Sequence, residues 1–121
     1  MRYLVLPEGS DLPDLNAASN YLLSAYEVDP DRAACLSNLE TALLMLYRRT
    51  GDLTVLAETV RAGRAAVAAS PDGSPGLASR LNSLGGALRF MFDRTGDPAV
   101  LAESVQAARA AVAATAGRGA R

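Results

Sequence analysis

Histidine, lysine and tryptophan are absent from this 121-residue sequence, and cysteine occurs once, at Cys35. Without histidine, neither a Ser-His nor a Cys-His nucleophile pair can form. Zinc and most other transition-metal sites, which rely on histidine and cysteine ligands, are also not expected. A single cysteine forms no internal disulfide, and the small apolar neighbours of Cys35 predict that it is buried as a small hydrophobic residue. The sequence therefore predicts no metal and no cofactor.

Signals for a membrane, for export or for nucleic acid are also weak. The amino-terminal sequence MRYLVLPEGS contains only a short apolar run, too short for a signal-peptide core or a membrane span. The formal net charge is −1, so no overall field favours nucleic acid or an acidic membrane. All twelve basic residues are arginine, which is typical of GC-rich coding. We expect a cytoplasmic protein that binds neither nucleic acid nor membrane.

Small aliphatic residues dominate what is present. Half of the chain is hydrophobic, but only 5% is aromatic, and alanine occurs 24 times. Alanine has the highest helix propensity, and its small side chain lets helices approach closely. Strand-like alternation is nearly absent. The length suits one domain with a modest core. These features predict an all-α fold.

The sequence matches itself when shifted by 45 residues. Residues 36–69 read LSNLETALLMLYRRTGDLTVLAETVRAGRAAVAA, and residues 81–114 read LNSLGGALRFMFDRTGDPAVLAESVQAARAAVAA; 20 of these 34 positions are identical. A fixed period between 20 and 50 residues is the signature of a stacked helical array. The chain is therefore predicted to be an α-solenoid of antiparallel helix pairs.

Each unit divides into two helices at the motif Arg-Thr-Gly-Asp. Gly51 and Gly96 suit the left-handed residue that follows a helix end, and Asp52 and Asp97 suit the cap of the next helix. In the first helix of each pair, apolar residues recur at spacings of three and four. The predicted inward residues are Leu36, Leu39, Leu43 and Leu46 or Tyr47 in one unit and Leu81, Leu84, Leu88 and Met91 or Phe92 in the other. The second helices carry apolar residues at Val55, Leu56, Val60 and Val67, and at Val100, Leu101, Val105 and Val112.

The predicted organisation is a single domain of two and a half repeats. Gly9-Ser10-Asp11-Leu12 echoes Gly-Asp-Leu at 51–53 and marks a half-repeat over residues 9–30. Full repeats follow over 31–75 and 76–114, because the sequence SPDGSP at 70–75 breaks the chain between them. About five helices are expected, over 14–26, 31–49, 53–69, 76–94 and 98–114. Residues 115–121 are expected to fray.

The residues that carry this repeat resemble those of a known family. Leu-x-x-Leu-Gly-x-Ala-Leu at 81–88, then Arg-Thr-Gly-Asp and Arg-Ala-Ala-Val-Ala-Ala, is similar to tetratricopeptide-like repeats. The pattern is closer still to the long repeats beside caspase-like CHAT domains in actinobacterial proteins. Glu40 departs from the motif, which has a glycine there, as at Gly85, and the period exceeds the usual 34 residues. Because histidine is absent, the activity of such a catalytic domain is not expected here.

In this family, the first helices of the pairs line a concave groove that binds a protein or peptide partner. The resemblance implies partner-binding residues at Ser37, Thr41, Met45, Ser79, Asn82, Arg89 and Phe90, with Ala34, Leu44 and Gly86 at further groove positions. Helical geometry agrees, because Asn82, Gly86 and Arg89 lie on the face opposite the predicted core leucines. Leu44, Met45 and Phe90 either make the groove partly apolar or pack against a neighbouring helix or another chain.

The last helix has an apolar stripe that no later helix would cover. Stacked repeats usually need about three units, and an exposed apolar stripe marks an interface. We therefore predict a homodimer, with helix exchange between the chains as one form; the alternative is that the sequence is a fragment of a longer array.

Two classes of function are consistent with this sequence. The first is a scaffold or assembly module that binds a protein or peptide. The second is a small-molecule-binding or accessory biosynthetic protein with a pocket at a dimer interface, which requires an enclosed cavity with convergent polar groups. Asp93, Glu40 and Tyr47 are acid–base groups in principle, but their spacing singles out no catalytic site. The sequence therefore predicts no enzymatic activity.

Overall fold

The computed structural model describes residues 28–119, with side chains through Ala116, and these residues form four α-helices. The helices are α1 (Pro30–Thr50), α2 (Leu53–Ala69), α3 (Leu77–Thr95) and α4 (Pro98–Gly119). Residues 28–119 contain no strand, which confirms the predicted all-α class. The predicted helix over 14–26, and with it most of the half-repeat over 9–30, lies outside the described residues.

Aspartates begin three of the four helices. Asp29 Oδ1 accepts hydrogen bonds from the backbone amides of Asp31 and Arg32 at 3.0 and 3.2 Å. Asp52 and Asp97 accept from the amides two residues later, at 2.8 and 2.9 Å, as predicted. These bonds satisfy amides that have no partner within the helix. The helix starts therefore follow from single residues in the sequence.

The Thr-Gly pair of each Arg-Thr-Gly-Asp motif ends one helix and sets up the next. Gly51 and Gly96 adopt the left-handed conformation, with φ of 69° and 68°, and their amides donate to Tyr47 O and Phe92 O at 2.6 and 2.7 Å. The hydroxyls of Thr50 and Thr95 donate to carbonyls one turn earlier and accept from the amides of the capping aspartates. The two turns are therefore built alike, and the predicted helix bounds around them are correct to one residue.

Two glycine-to-alanine variants should shift stability in opposite directions. Gly96→Ala forces an alanine into the left-handed conformation and should lower the free energy of unfolding by about 1 kcal/mol. Gly86 lies inside α3, and a Cβ there would have no atom within 4 Å, so Gly86→Ala should raise it by about 0.5–1 kcal/mol. Urea unfolding of both variants measures the difference, and shifts of the same sign would contradict it.

Successive helices run antiparallel. Two residues separate α1 from α2 and α3 from α4, and such short connections join antiparallel helices. Leu56 of α2 shares a cluster with Met91 of α3, and Val60 shares one with Leu84 and Leu88. Later residues of α2 thus contact earlier residues of α3, so these two helices are antiparallel. Since α1 and α2 are also antiparallel, α1 and α3 run parallel.

The core follows the predicted periodicity. Leu36, Leu81, Leu84 and Leu88 are buried, as are Val55, Leu56 and Val60. In α1 the inward residue near the carboxyl end is Tyr47, whereas Leu46 is 46% exposed. In α4, Leu101, Val105 and Val112 of the predicted apolar stripe are exposed. Residues 28–119 offer no further helix to cover them.

Two features of the helices differ from the sequence-based expectation. Cys35 is exposed and not buried, because α1 buries the stripe through Ala33 and Leu36 and Cys35 lies off that stripe. Helix α4 continues to Gly119, five residues past the predicted end at 114. Among residues 28–119, no helix combines the length and apolarity that crossing a bilayer requires.

Candidate functional site

The predicted groove residues lie on the two parallel helices α1 and α3. Five of them are exposed and two are half-buried. The exposed ones are Thr41, Met45, Ser79, Asn82 and Arg89, and the half-buried ones are Ser37 and Phe90. Because α1 and α3 have the same direction, residues at equivalent repeat positions point to the same side of the molecule.

The carboxyl ends of α1 and α3 are joined by aromatic and arginine contacts. The rings of Tyr47 and Phe90 meet edge-on with centroids 6.1 Å apart, and the Arg48 guanidinium lies 6.0 Å from the Phe90 centroid. Arg94 Nη1 donates to the Tyr47 hydroxyl at 3.0 Å and to Gly51 O at 3.1 Å. We call this group the α1–α3 seam. It fixes the spacing of the two helices at that end.

The structure separates the three apolar groove residues. Leu44 and Phe90 pack against the buried cluster of Tyr47, Val55 and Leu56, so for these two the packing interpretation is correct. Met45 does not belong to that cluster and is 63% exposed. A methionine adapts its shape to an apolar contact. One of the three apolar side chains is therefore exposed on α1.

Asn82 lies in a different environment, near the start of α3. It lines an open depression of about 310 Å³ whose other walls come from α4; they are Ala111, Val112, Thr115 and Ala116. Asn82 and Phe90 are eight residues apart in one helix, which is about 12 Å. The structure thus places Phe90 at the α1–α3 seam and Asn82 beside α4.

The exposed side of α4 repeats a side of α2 that is covered. We call Leu101, Val105, Ala108 and Val112 the α4 stripe; the equivalent α2 stripe is Leu56, Val60, Gly63 and Val67. Residues of the α2 stripe pack against Leu84, Leu88 and Met91 of α3. Leu101, Val105 and Val112 are 39%, 42% and 69% exposed. The α4 stripe is an apolar surface of the kind that binds another helix.

Glu40 is a buried acid that the sequence did not single out as special. Its side chain is only 2% exposed, and neither carboxyl oxygen has a hydrogen-bond partner among residues 28–119. Burial raises the pKa of Glu40 to about 7. A Cβ placed on Gly63 would lie 2.5 Å from Glu40 Oε2, so the carboxyl occupies the space that this glycine leaves. The sequence feature that could have pointed to this buried acid was the departure of Glu40 from the repeat motif.

Several arginines form ion pairs, in line with the structural interpretation of their positions. Arg64 donates to both carboxylate oxygens of Glu103 at 2.8 and 2.6 Å and so links α2 to α4. This hydrogen bond raises the pKa of Arg64. Arg61 lies 3.8 Å from Glu58 one turn away. Arg48 and Arg89, by contrast, are exposed.

Within residues 28–119, no cluster of three or more acidic or cysteine side chains is placed to hold a metal ion. Comparison of the chain with known proteins yields no matching family model, no matching curated protein and no matching solved structure.

Proposed function

We propose that the chain is a protein-binding scaffold of tetratricopeptide-like type, which binds a peptide or protein segment along the groove side of α1 and α3. One observation carries this proposal: Met45 is 63% exposed on α1, one helical turn before Arg48, whose guanidinium lies 6.0 Å from the Phe90 centroid. An isolated exposed apolar residue is common. Here Met45 is followed within one turn by an arginine that contacts an aromatic ring of α3.

Two exposed arginines specify the partner. Arg48 is exposed and lies 6.0 Å from the Phe90 centroid, and exposed Arg89 precedes Phe90 in α3; arginine pairs well with carboxylates. A complementary segment carries an apolar side chain for Met45 and an acidic residue for these arginines. The small-molecule alternative lacks comparable support, because the depression at Asn82 is open and Glu40 is closed off from solvent.

A capture experiment with matched variants tests the scaffold proposal. Full-length chain is immobilised as wild type, Met45→Asp, Arg89→Ala and the control Arg109→Ala, in which an exposed arginine of α4 is removed. A protein retained from the native host by wild type and by Arg109→Ala should be lost or weakened with Met45→Asp and Arg89→Ala. Loss of one charge-assisted contact corresponds to roughly tenfold weaker binding.

Thermal melting provides the second readout. Because Met45 and Arg89 are exposed, neither variant should lower the melting temperature appreciably. The segment that binds is then synthesised and titrated against each variant. Equal affinity of all four proteins for that segment would contradict the proposed groove.

A further inference from the structure

We propose that two copies of this chain pair through their α4 helices, antiparallel about a two-fold axis, and that Leu101 of each copy enters the depression beside Val112 of the other. This inference goes beyond the groove on α1 and α3 and does not depend on it. The paired surface is the α4 stripe, which is exposed along residues 101–112.

The spacing of the α4 stripe fits a second helix. Its four residues are separated by four, three and four positions, the spacing of the seam of a coiled coil. In an antiparallel pair with the two-fold axis midway between Val105 and Ala108, Leu101 lies opposite Val112 of the other copy. Val105 then lies opposite Ala108. The stripe is therefore complementary to itself, as a two-fold interface requires.

The depression supplies the receiving surface for Leu101. Its lining includes Ala111, Val112, Thr115 and Ala116 of α4, the positions that surround the point opposite Leu101 of the second copy. The depression is open, has a volume of about 310 Å³, and is also lined by Asn82 of α3. One copy thus presents both an exposed leucine and the depression that faces its counterpart in this register.

The inter-unit interface of the chain shows why a second α4 fits better than another helix like α3. Where α3 covers the α2 stripe, a Cβ on Gly63 would lie 3.2 Å from Leu84 Cδ1. The α4 stripe has Ala108 at the equivalent position, so a leucine in the same register would be crowded. In the proposed dimer Ala108 meets Val105, which has a shorter side chain.

Charge also favours a second copy. No residue of the α4 stripe is charged, so two identical stripes meet without repulsion. Glu103 points to the side, where it is paired with Arg64. Arg109 borders the stripe, and in this register it falls near Ala102 of the other copy. The α4 stripe thus offers a second copy an uncharged surface at the positions that α2 uses against α3.

Sedimentation of the full chain tests the pairing. Wild type should be a dimer at about 100 µM and should dissociate into monomers when it is diluted. Leu101→Asp and Val112→Asp should each weaken dimerisation at least roughly tenfold, because each places a charge against an apolar surface. Met45→Asp, an equally drastic change on α1 at a residue that is 63% exposed, should leave the dimer intact.

Thiol cross-linking tests the register independently of any loss of folding. In a Cys35→Ser background, which removes only an exposed thiol, a mixture of Leu101→Cys and Val112→Cys chains should form a mixed cross-link. Leu101→Cys alone should not, since its two copies lie roughly 16 Å apart along the helices in this register. Three results overturn the proposal: a monomer at about 100 µM, a dimer unaffected by both aspartates, or cross-linking of Leu101→Cys to itself in preference to Val112→Cys.

Discussion

Replacing Leu88 by alanine is expected to lower the free energy of unfolding by about 2–5 kcal/mol. Leu88 is fully buried and lies in one cluster with Val60 of α2 and Ala107 of α4. It therefore joins α2 of the first repeat unit to α3 and α4 of the second. The variant loses the transfer free energy of the leucine side chain, and it leaves a cavity at the junction of three helices.

Leu46→Ala is the matched control for this prediction. Leu46 is 46% exposed at the carboxyl end of α1, so its truncation should cost no more than about 1 kcal/mol. Urea unfolding followed by circular dichroism measures both variants under the same conditions. If Leu88→Ala lost no more stability than Leu46→Ala, the packing of α3 between α2 and α4 would be wrong.

The starts and ends of the helices were predictable because single residues determine them. Asp52, Asp97, Gly51 and Gly96 act through their own backbone or side-chain hydrogen bonds. Such effects are local and do not depend on which helix lies nearby. The same bonds recur in both units because the motif recurs.

The buried faces were less predictable because neighbouring helices decide them. Tyr47 is buried where Leu46 was an equal candidate, since Arg94 and Phe90 of the other unit contact its ring. Leu44 and Phe90 are drawn into the same cluster, whereas Met45 is not. Periodicity within one helix identifies a stripe but not its partner.

The close packing of Glu40 on Gly63 could not be predicted from either residue alone. At the equivalent position in the second unit, Gly85 approaches α4, with its nearest backbone neighbour the Ser104 carbonyl oxygen. The first unit thus pairs a large residue on α1 with a glycine on α2. The second unit pairs a glycine on α3 with Ala108 on α4. Alignment of the two units shows that the residue at each of these two positions differs between them. Only the packing of the helices shows that the two positions contact each other.

Stability is expected to fall as pH rises from about 4.5 to about 7, because of Glu40. Its folded pKa is raised by burial from 4.5 to about 7, so in this window the folded chain retains a proton that the unfolded chain has released. The contribution is fully present below the unfolded pKa and is lost as pH rises through the folded value. A shift of this size corresponds to about 3 kcal/mol in the free energy of unfolding.

Among residues 28–119, the surroundings of Glu40 contain no group that cancels this effect. Glu40 packs on Gly63 of α2, and Leu84 of α3 lies against the same glycine. The nearby charged residues of α2 are engaged elsewhere: Glu58 with Arg61, and Arg64 with Glu103. On α3, Arg80 donates to Ser70. Within the described part of the chain, the ionised form of Glu40 therefore has no charged partner to offset its burial.

Glu40→Gln separates this contribution from those of all other carboxylates. Glutamine keeps the shape of the protonated acid but does not titrate, so the variant should lose the decline between about pH 4.5 and 7. The stability of this variant at a single pH says little, because burying the glutamine amide has its own desolvation cost. The decisive quantity is the difference in slope between wild type and variant, measured by urea unfolding across this range. Parallel slopes would show that the Glu40 carboxyl ionises as it does in solvent and that α1 does not bury it against Gly63.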